Sequence, residues 1–186
     1  SRSTSPEMNV DTLDVWAKKK GINLIGTGDF THPKYFAGLK DKLKPLGNGL
    51  FALKDVTHTP HPTPYILSFM LTAEVSNIYK QGGKTRKIHN LMFAPSFEAV
   101  EKINSEFGKR GNVVSDGRPI FGFSAQELIK IVLDASPDCM VIPAHAWTPW
   151  FSIFGSKSGF DSIEECFGEY AKHIRAIETG LSSDPE

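Results

Sequence analysis

The stretch Gln81-Gly82-Gly83-Lys84 constrains the fold more than any other part of this chain. Strand-like apolar runs flank it, over residues 65–79 and 86–94. A Gly-Gly pair suits the positive backbone angles of a two-residue hairpin turn, because glycine has no Cβ to clash. That turn pairs Gln81 with Lys84, which sets Ser76 opposite His89 and Glu74 opposite Leu91. Residues two apart on a strand share a face, so Glu74 and His89 are predicted to project to the same side. A carboxylate and an imidazole diagonally adjacent across a hairpin are within reach of one metal ion.

A second landmark lies over residues 139–155. Met140-Val141-Ile142 reads as a short strand buried on both faces, and Pro143 ends its ladder. His145 then stands where the strand opens into a loop holding Trp147, Trp150, Phe151 and Phe154. Two readings fit: a ligand-type imidazole with an aromatic lid, or a buried histidine beside a loop that only packs.

The remaining segments alternate helical and strand patterns. Asn9 or Asp11 caps a helix with Val10, Leu13 and Trp16 as its apolar positions, and Gly21 ends it. Residues 22–26 read as a buried strand opening into Thr27-Gly28-Asp29-Phe30-Thr31-His32-Pro33, with His32 structural at the start of a helix over 33–43. A short strand is expected over 50–56. His58 and His61 lie in a proline-stiffened loop and read as solvated. Helices follow at 97–107 and 125–133, the second capped by Ser124 with Glu127 at the capping-box position. Between them Arg118 offers a guanidinium to an anion. Asp161 is expected to cap a helix reaching about residue 172, and a last strand over 174–177 ends at Glu178.

Asp29, His145 and Glu178 thus each close a strand-like run and enter a loop, with helices between. Catalytic groups of alternating strand–helix barrels gather at such strand ends. Asp, Glu and His together suit Zn, Mn or Fe sites that activate water for phosphoester cleavage. Composition narrows the partners less. Lys plus Arg equals Asp plus Glu at 21 each, so no whole-chain field points to nucleic acid or membrane, although an acidic metal site can mask a basic rim. A length of 186 residues suits one well-buried domain. Two cysteines make no disulfide framework, and neither a signal-peptide pattern nor a bilayer-spanning run is seen. The expectation is a cytoplasmic protein.

Several short stretches carry a family resemblance. Gly26-Thr27-Gly28-Asp29, Thr72-Ala73-Glu74-Val75, Ser115-Asp116-Gly117-Arg118-Pro119, Pro143-Ala144-His145-Ala146-Trp147-Thr148-Pro149-Trp150 and Ile177-Glu178-Thr179-Gly180-Leu181-Ser182-Ser183-Asp184-Pro185 resemble the PHP (polymerase and histidinol phosphatase) superfamily, and within it the endonuclease Q branch. The resemblance covers essentially the whole chain. It implies an α/β fold, a distorted seven-stranded β/α barrel, with two or three divalent metal ions (Zn, Mn or Mg). It also implies a DNA endonuclease that nicks 5′ of deaminated bases or abasic sites, with damaged DNA and other repair or replication proteins as partners and no membrane. Superfamily members carry His-x-His on a first strand and Asp-x-His on a late one. Neither motif is present here, so residues 1–186 are read as a single PHP-like domain, a fragment lacking those two strands.

The resemblance also assigns residues. Asp29, Glu74, His89 and His145 would be metal ligands, with Asp29, Glu74 and His145 at the catalytic centre. Asp29 stands where many relatives have the histidine of Thr-Asp-His. Ser115, Asp116, Ser182 and Ser183 would border the substrate, Arg118 would hold a backbone phosphate, Trp147, Trp150 and Phe151 would stack on an extruded base, and Glu178 would border the substrate or stand as a supporting carboxylate behind the ligands. Two alternatives stay open: a small-molecule phosphoesterase of the histidinol-phosphatase type, and a non-catalytic PHP scaffold.

Overall fold

A computed structural model describes residues 7–55, 67–114 and 118–180 of the chain. Its elements are α1 (Val10–Lys20), β1 (Leu24–Gly26), α2 (Pro33–Lys42), β2 (Leu43–Gly47), β3 (Leu50–Leu53), β4 (Ser68–Gln81), β5 (Lys84–Ala94), α3 (Phe97–Gly108), β6 (Ile120–Phe121), α4 (Ala125–Ala135), β7 (Met140–Pro143) and α5 (Ile163–Phe167), with a 3₁₀ turn at Gly168–His173. His58 and His61 lie outside the described residues, as do Ser115, Asp116, Ser182 and Ser183.

β4 is the spine of the sheet, and its hairpin with β5 has the register the glycine turn predicts. Gln81 pairs with Lys84, Ser76 with His89 and Glu74 with Leu91. Gly82 and Gly83 supply the left-handed turn with φ of 59° and 74°. One edge of β4 takes β3 at Phe69 and then β5 from Leu71 onward. β1 pairs with β4 in parallel at residues 68–70, and β6 does so at Ser76 and Asn77. β7 closes the path on the far side of β5, antiparallel. The result is a mixed seven-stranded sheet ordered β2-β3-β4-β5-β7, with β1 and β6 branching from β4. Every pairing along that path is antiparallel, and the path does not close into a ring among the described residues, whereas alternating strands and helices point to a barrel.

The sheet has two unlike faces. Phe69, Leu71, Ala73, Val75 and Tyr79 of β4, with Ile88, Met92 and Ala94 of β5, are buried in the core. Val100, Ile103 and Phe107 of α3 and Leu128, Ile129 and Val132 of α4 are buried in the same apolar cluster. The opposite face carries Glu74, Lys87, His89 and Leu91, and it is half open. β7 alternates in the same way, so it is not buried on both faces as expected.

Local capping follows the sequence closely. Asn9 accepts from the Thr12 N–H at 3.0 Å, and Gly21 ends α1 at φ 67°. The buried side of α1 is Val10, Asp14 and Ala17, however, and Trp16 is 53% exposed beneath the Lys19 ammonium. A 10-13-16 spacing drifts round a helix of 3.6 residues per turn. His32 caps α2 by accepting from Tyr35 N–H, a structural role as expected. Three differences stand out. Leu43–Gly47 forms a strand not expected from its own residues, joined to β3 through Asn48-Gly49, a turn dipeptide that signals such hairpins. Leu24 is 46% exposed, because β1 pairs with β4 alone. The helix expected from Asp161 to about 172 is capped by Ser162, shortens to α5 and turns 3₁₀ where Gly168 takes φ 56°; residues 174–177 do not form the expected strand. No helix among the described residues is long and apolar enough to cross a membrane.

Candidate metal and phosphate site

The half-open face of the hairpin brings Glu74, His89 and His145 together, the one group of three or more ligand-type residues among the described residues. Glu74 and His89 arrive by strand alternation. His145 does not: continued alternation beyond Ile142 would send it to the core face. Its left-handed backbone, φ 32°, turns it instead toward Glu74. Glu178 holds this conformation, since its Oε2 accepts from the His145 N–H at 2.7 Å. The backbone bonds Ala146 N–H to Glu178 carbonyl and Glu178 N–H to Pro143 carbonyl flank that contact.

Three distances define the group. His89 Nδ1 lies 3.0 Å from His145 Nε2 and 3.4 Å from Glu74 Oε1, and His145 Nε2 lies 3.7 Å from the same oxygen. A tetrahedral zinc ion with bonds of about 2.1 Å separates its ligand atoms by about 3.4 Å. The triangle is therefore the size of one face of a zinc coordination sphere, and its donor set of one carboxylate and two imidazoles suits a divalent ion.

Hydrogen positions in the cluster follow from Arg118. A guanidinium can only donate, so His89 Nε2, 3.2 Å from Arg118 Nη1, must accept. The His89 proton then sits on Nδ1 and points to His145 Nε2. His145 in turn donates from Nδ1 to Thr148 Oγ1 at 3.0 Å, and that hydroxyl donates to the Trp150 carbonyl at 2.8 Å. Burial, with help from the Arg118 guanidinium and the neighbouring His145 ring, holds the His89 imidazole down at about 3, so it is neutral at pH 7. The second Arg118 nitrogen, Nη2, donates to Glu74 Oε2 at 2.7 Å. Register explains this: Ser76 pairs with Ile120 in the parallel β4–β6 ladder, so stepping back two residues sets Arg118 beside Glu74. The arginine read from the sequence as a phosphate ligand thus points its fork at the ligand group.

Asp29 does not join the triangle. It lies on the loop after β1, where Gly28 N–H donates to Thr72 Oγ1 at 2.8 Å and Phe30 N–H donates to the Thr72 carbonyl. Thr72 is two residues before Glu74 on the same strand face. Gly26 allows this close approach, since a Cβ there would meet Thr72 Oγ1 at 2.7 Å. Asp29 also acts on Tyr35, whose phenol is pushed up to about 12, chiefly by burial and then by that carboxylate.

The aromatic loop borders the group on its other side. Phe151 stacks on the His89 ring at 4.6 Å, and its carbonyl accepts from the backbone N–H of His89, so Phe151 supports both the ring and its strand. Trp147 and Trp150 are 46% and 50% exposed. Lys87 Nζ lies 4.9 Å from the Trp150 ring centre and 5.5 Å from that of Phe151. Asp29, His145 and Phe151 are three of the four non-glycine residues with left-handed φ among the described residues. Such strain concentrates at functional sites. Thr148 and Lys87 are site residues that the sequence motifs do not single out. Lys87 is within reach of a sequence argument, being two residues from His89 on one strand; Thr148 lies inside the His145 motif, three residues on, but nothing there marks its hydroxyl as the partner of the ring.

Taken as a class, this is an α/β chain with an endonuclease Q-like fold. It is similar to the lesion-specific endonuclease PfuEndoQ of Pyrococcus furiosus, with a TM-score of 0.76 and 28% identity over 99% of this chain. It is also similar to endonuclease Q in complex with a 27-mer duplex bearing an abasic lesion at the active site, with a TM-score of 0.77 and 30% identity over 99% of this chain. In both cases the chain spans 40% of the solved structure. By sequence it is 29% identical over 150 residues to an uncharacterised protein of Methanocaldococcus jannaschii, covering 80% of this chain and 15% of that protein. No family model matches.

Proposed function

We propose that this chain carries the active centre of a metal-dependent DNA endonuclease that nicks the backbone 5′ of deaminated bases or abasic sites. The observation that carries the reading is the triangle of Glu74 Oε1, His89 Nδ1 and His145 Nε2, with edges of 3.0–3.7 Å, set in an endonuclease Q-like fold. In this reading those three atoms hold a divalent ion, zinc or manganese, and Asp29 serves a neighbouring ion in a PHP-type barrel. Such an ion supplies Lewis-acid stabilisation of the phosphoryl charge and eases ionisation of the attacking water.

The other groups have roles that need no metal. Lys87 and Arg118 offer positive charge to the backbone phosphates next to the ligands. Exposed Trp147 and Trp150 offer stacking faces to a base turned out of the duplex, as lesion enzymes require. Glu178 and Thr148 hold His145. An exposed aromatic and cationic rim favours a polymer over a small phosphate ester, which would sit in a closed basic pocket.

The test is a nicking assay of the protein on duplexes with one uracil, one abasic site or no lesion, with added Mn²⁺ or Zn²⁺. Lesion-dependent nicking that Glu74→Gln abolishes supports the reading. Hydrolysis of histidinol phosphate without nicking would replace it by the phosphoesterase, and metal binding with neither activity by the scaffold.

A further inference from the structure

Arg118 offers an inference that rests on the metal reading and goes beyond it. Its guanidinium bridges two of the three ligands, with Nη2 on Glu74 Oε2 and Nη1 on His89 Nε2. The two contacts respond differently to an ion held by the triangle. Glu74 would offer Oε1 to the ion, leaving Oε2 free to keep Nη2, as carboxylates that share a metal and a hydrogen-bond donor do. His89 would have to offer Nδ1, the nitrogen that now carries its proton. An imidazole that coordinates through Nδ1 carries its hydrogen on Nε2. That N–H would then face the Nη1–H of Arg118, two donors 3.2 Å apart with no acceptor between them. Two cations would also share one small, half-buried site, where the effective dielectric is low.

We propose that Arg118 is a displaceable protein cation: the Nη1 contact with His89 and a divalent ion at Glu74, His89 and His145 exclude each other, and ion binding releases that arm of Arg118 toward a substrate phosphodiester. The arginine thereby couples metal loading to phosphate binding. Nη2 stays on Glu74, so the freed arm remains beside the ion, where the scissile phosphate must lie. The only covalent change is that the ring hydrogen of His89 passes from Nδ1 to Nε2, with no net gain or loss of protons, and one hydrogen bond is exchanged for another.

The sign of one measurement separates this from an ordinary supporting role. Outer partners that orient ligands strengthen metal affinity, and their loss weakens it by about 10–100-fold. A competing cation does the reverse. The experiment is a Zn²⁺ titration of wild type, Arg118→Ala and Arg118→Lys against a chromophoric chelator, with Glu74→Gln as control. Nitrogen-15 spectra of the histidine rings are recorded with and without Zn²⁺. The expected result is zinc binding about tenfold tighter in Arg118→Ala, intermediate in Arg118→Lys, and a wild-type His89 signal that passes from the Nδ1–H to the Nε2–H form on zinc addition. Equal or weaker zinc binding in Arg118→Ala, or an unchanged His89 form, overturns the displacement while leaving the metal site in place. Zinc binding in none of the proteins, or equally in Glu74→Gln, refutes the metal site itself and the displacement with it. If Arg118→Ala does not fold, Arg118→Lys and the wild-type spectra decide the matter alone.

Discussion

Replacing Thr148 by valine isolates the least conspicuous part of the site. The Thr148 hydroxyl accepts from His145 Nδ1 at 3.0 Å and donates to the Trp150 carbonyl at 2.8 Å, and it thereby fixes which His145 nitrogen faces Glu74. Valine keeps the shape and removes both bonds, leaving an imidazole N–H and a carbonyl without partners. Net contributions of about 0.5–1.5 kcal/mol per hydrogen bond put the stability loss near 1–2 kcal/mol, toward the lower end because Thr148 is only half buried. The effect on metal affinity should be larger in proportion. Outer partners of ligating histidines are worth about 10–100-fold, so Thr148→Val is expected to weaken Zn²⁺ binding by at least about tenfold, close to 1.4 kcal/mol. Thr148→Ser retains the hydroxyl and should stay near wild type. The assay pairs urea unfolding of the metal-free protein with Zn²⁺ titration against a chelator. A loss in the serine variant with the valine variant near wild type would show that packing of the γ-methyl matters and the hydrogen bond does not. Unchanged zinc affinity in the valine variant would refute the chain of protons from Arg118 to Trp150.

Three further outcomes are expected. Arg86 is buried, donates to the Gly159 carbonyl and to Glu165 Oε1 at 2.9 Å, and lies 4.1 Å from the Phe160 ring centre; Arg86→Ala should cost about 3 kcal/mol in urea unfolding and free the loop after His145, whereas Arg86→Lys should recover part of it. Burial pushes the Cys166 thiol up to about 12 and the Cys139 thiol to about 11, both above the ordinary thiol. Raised acid pKa values mean stability present below about pH 9 and lost as pH rises toward 11–12, where the unfolded thiols ionise first; native protein at pH 8 should leave both thiols unreactive to a thiol dye until denaturant is added. Trp150→Ala should slow nicking at uracil more than at an abasic site, which has no base to stack; equal losses on both would refute a stacking role.

Half of the candidate site is legible in the amino-acid sequence. A Gly-Gly turn leaves a hairpin one register, and period-two alternation then puts Glu74 and His89 on one face, because both rules act over a few residues. The caps at Asn9, Ser124 and Gly21 are local in the same way. Three matters needed the tertiary structure. His145 faces Glu74 only because a left-handed backbone, held by Glu178 from 33 residues away, overrides the alternation of β7. Arg118 meets Glu74 through a two-residue parallel pairing too short to leave a pattern in the sequence. Among the described residues the sheet does not close, because β5 pairs with β4 and β7 then adds on the far side of β5, although helix–strand alternation points to a barrel. Sequence determines what neighbours within a turn or hairpin must do. Which distant strand end comes to rest beside which carboxylate is settled by packing of the whole sheet.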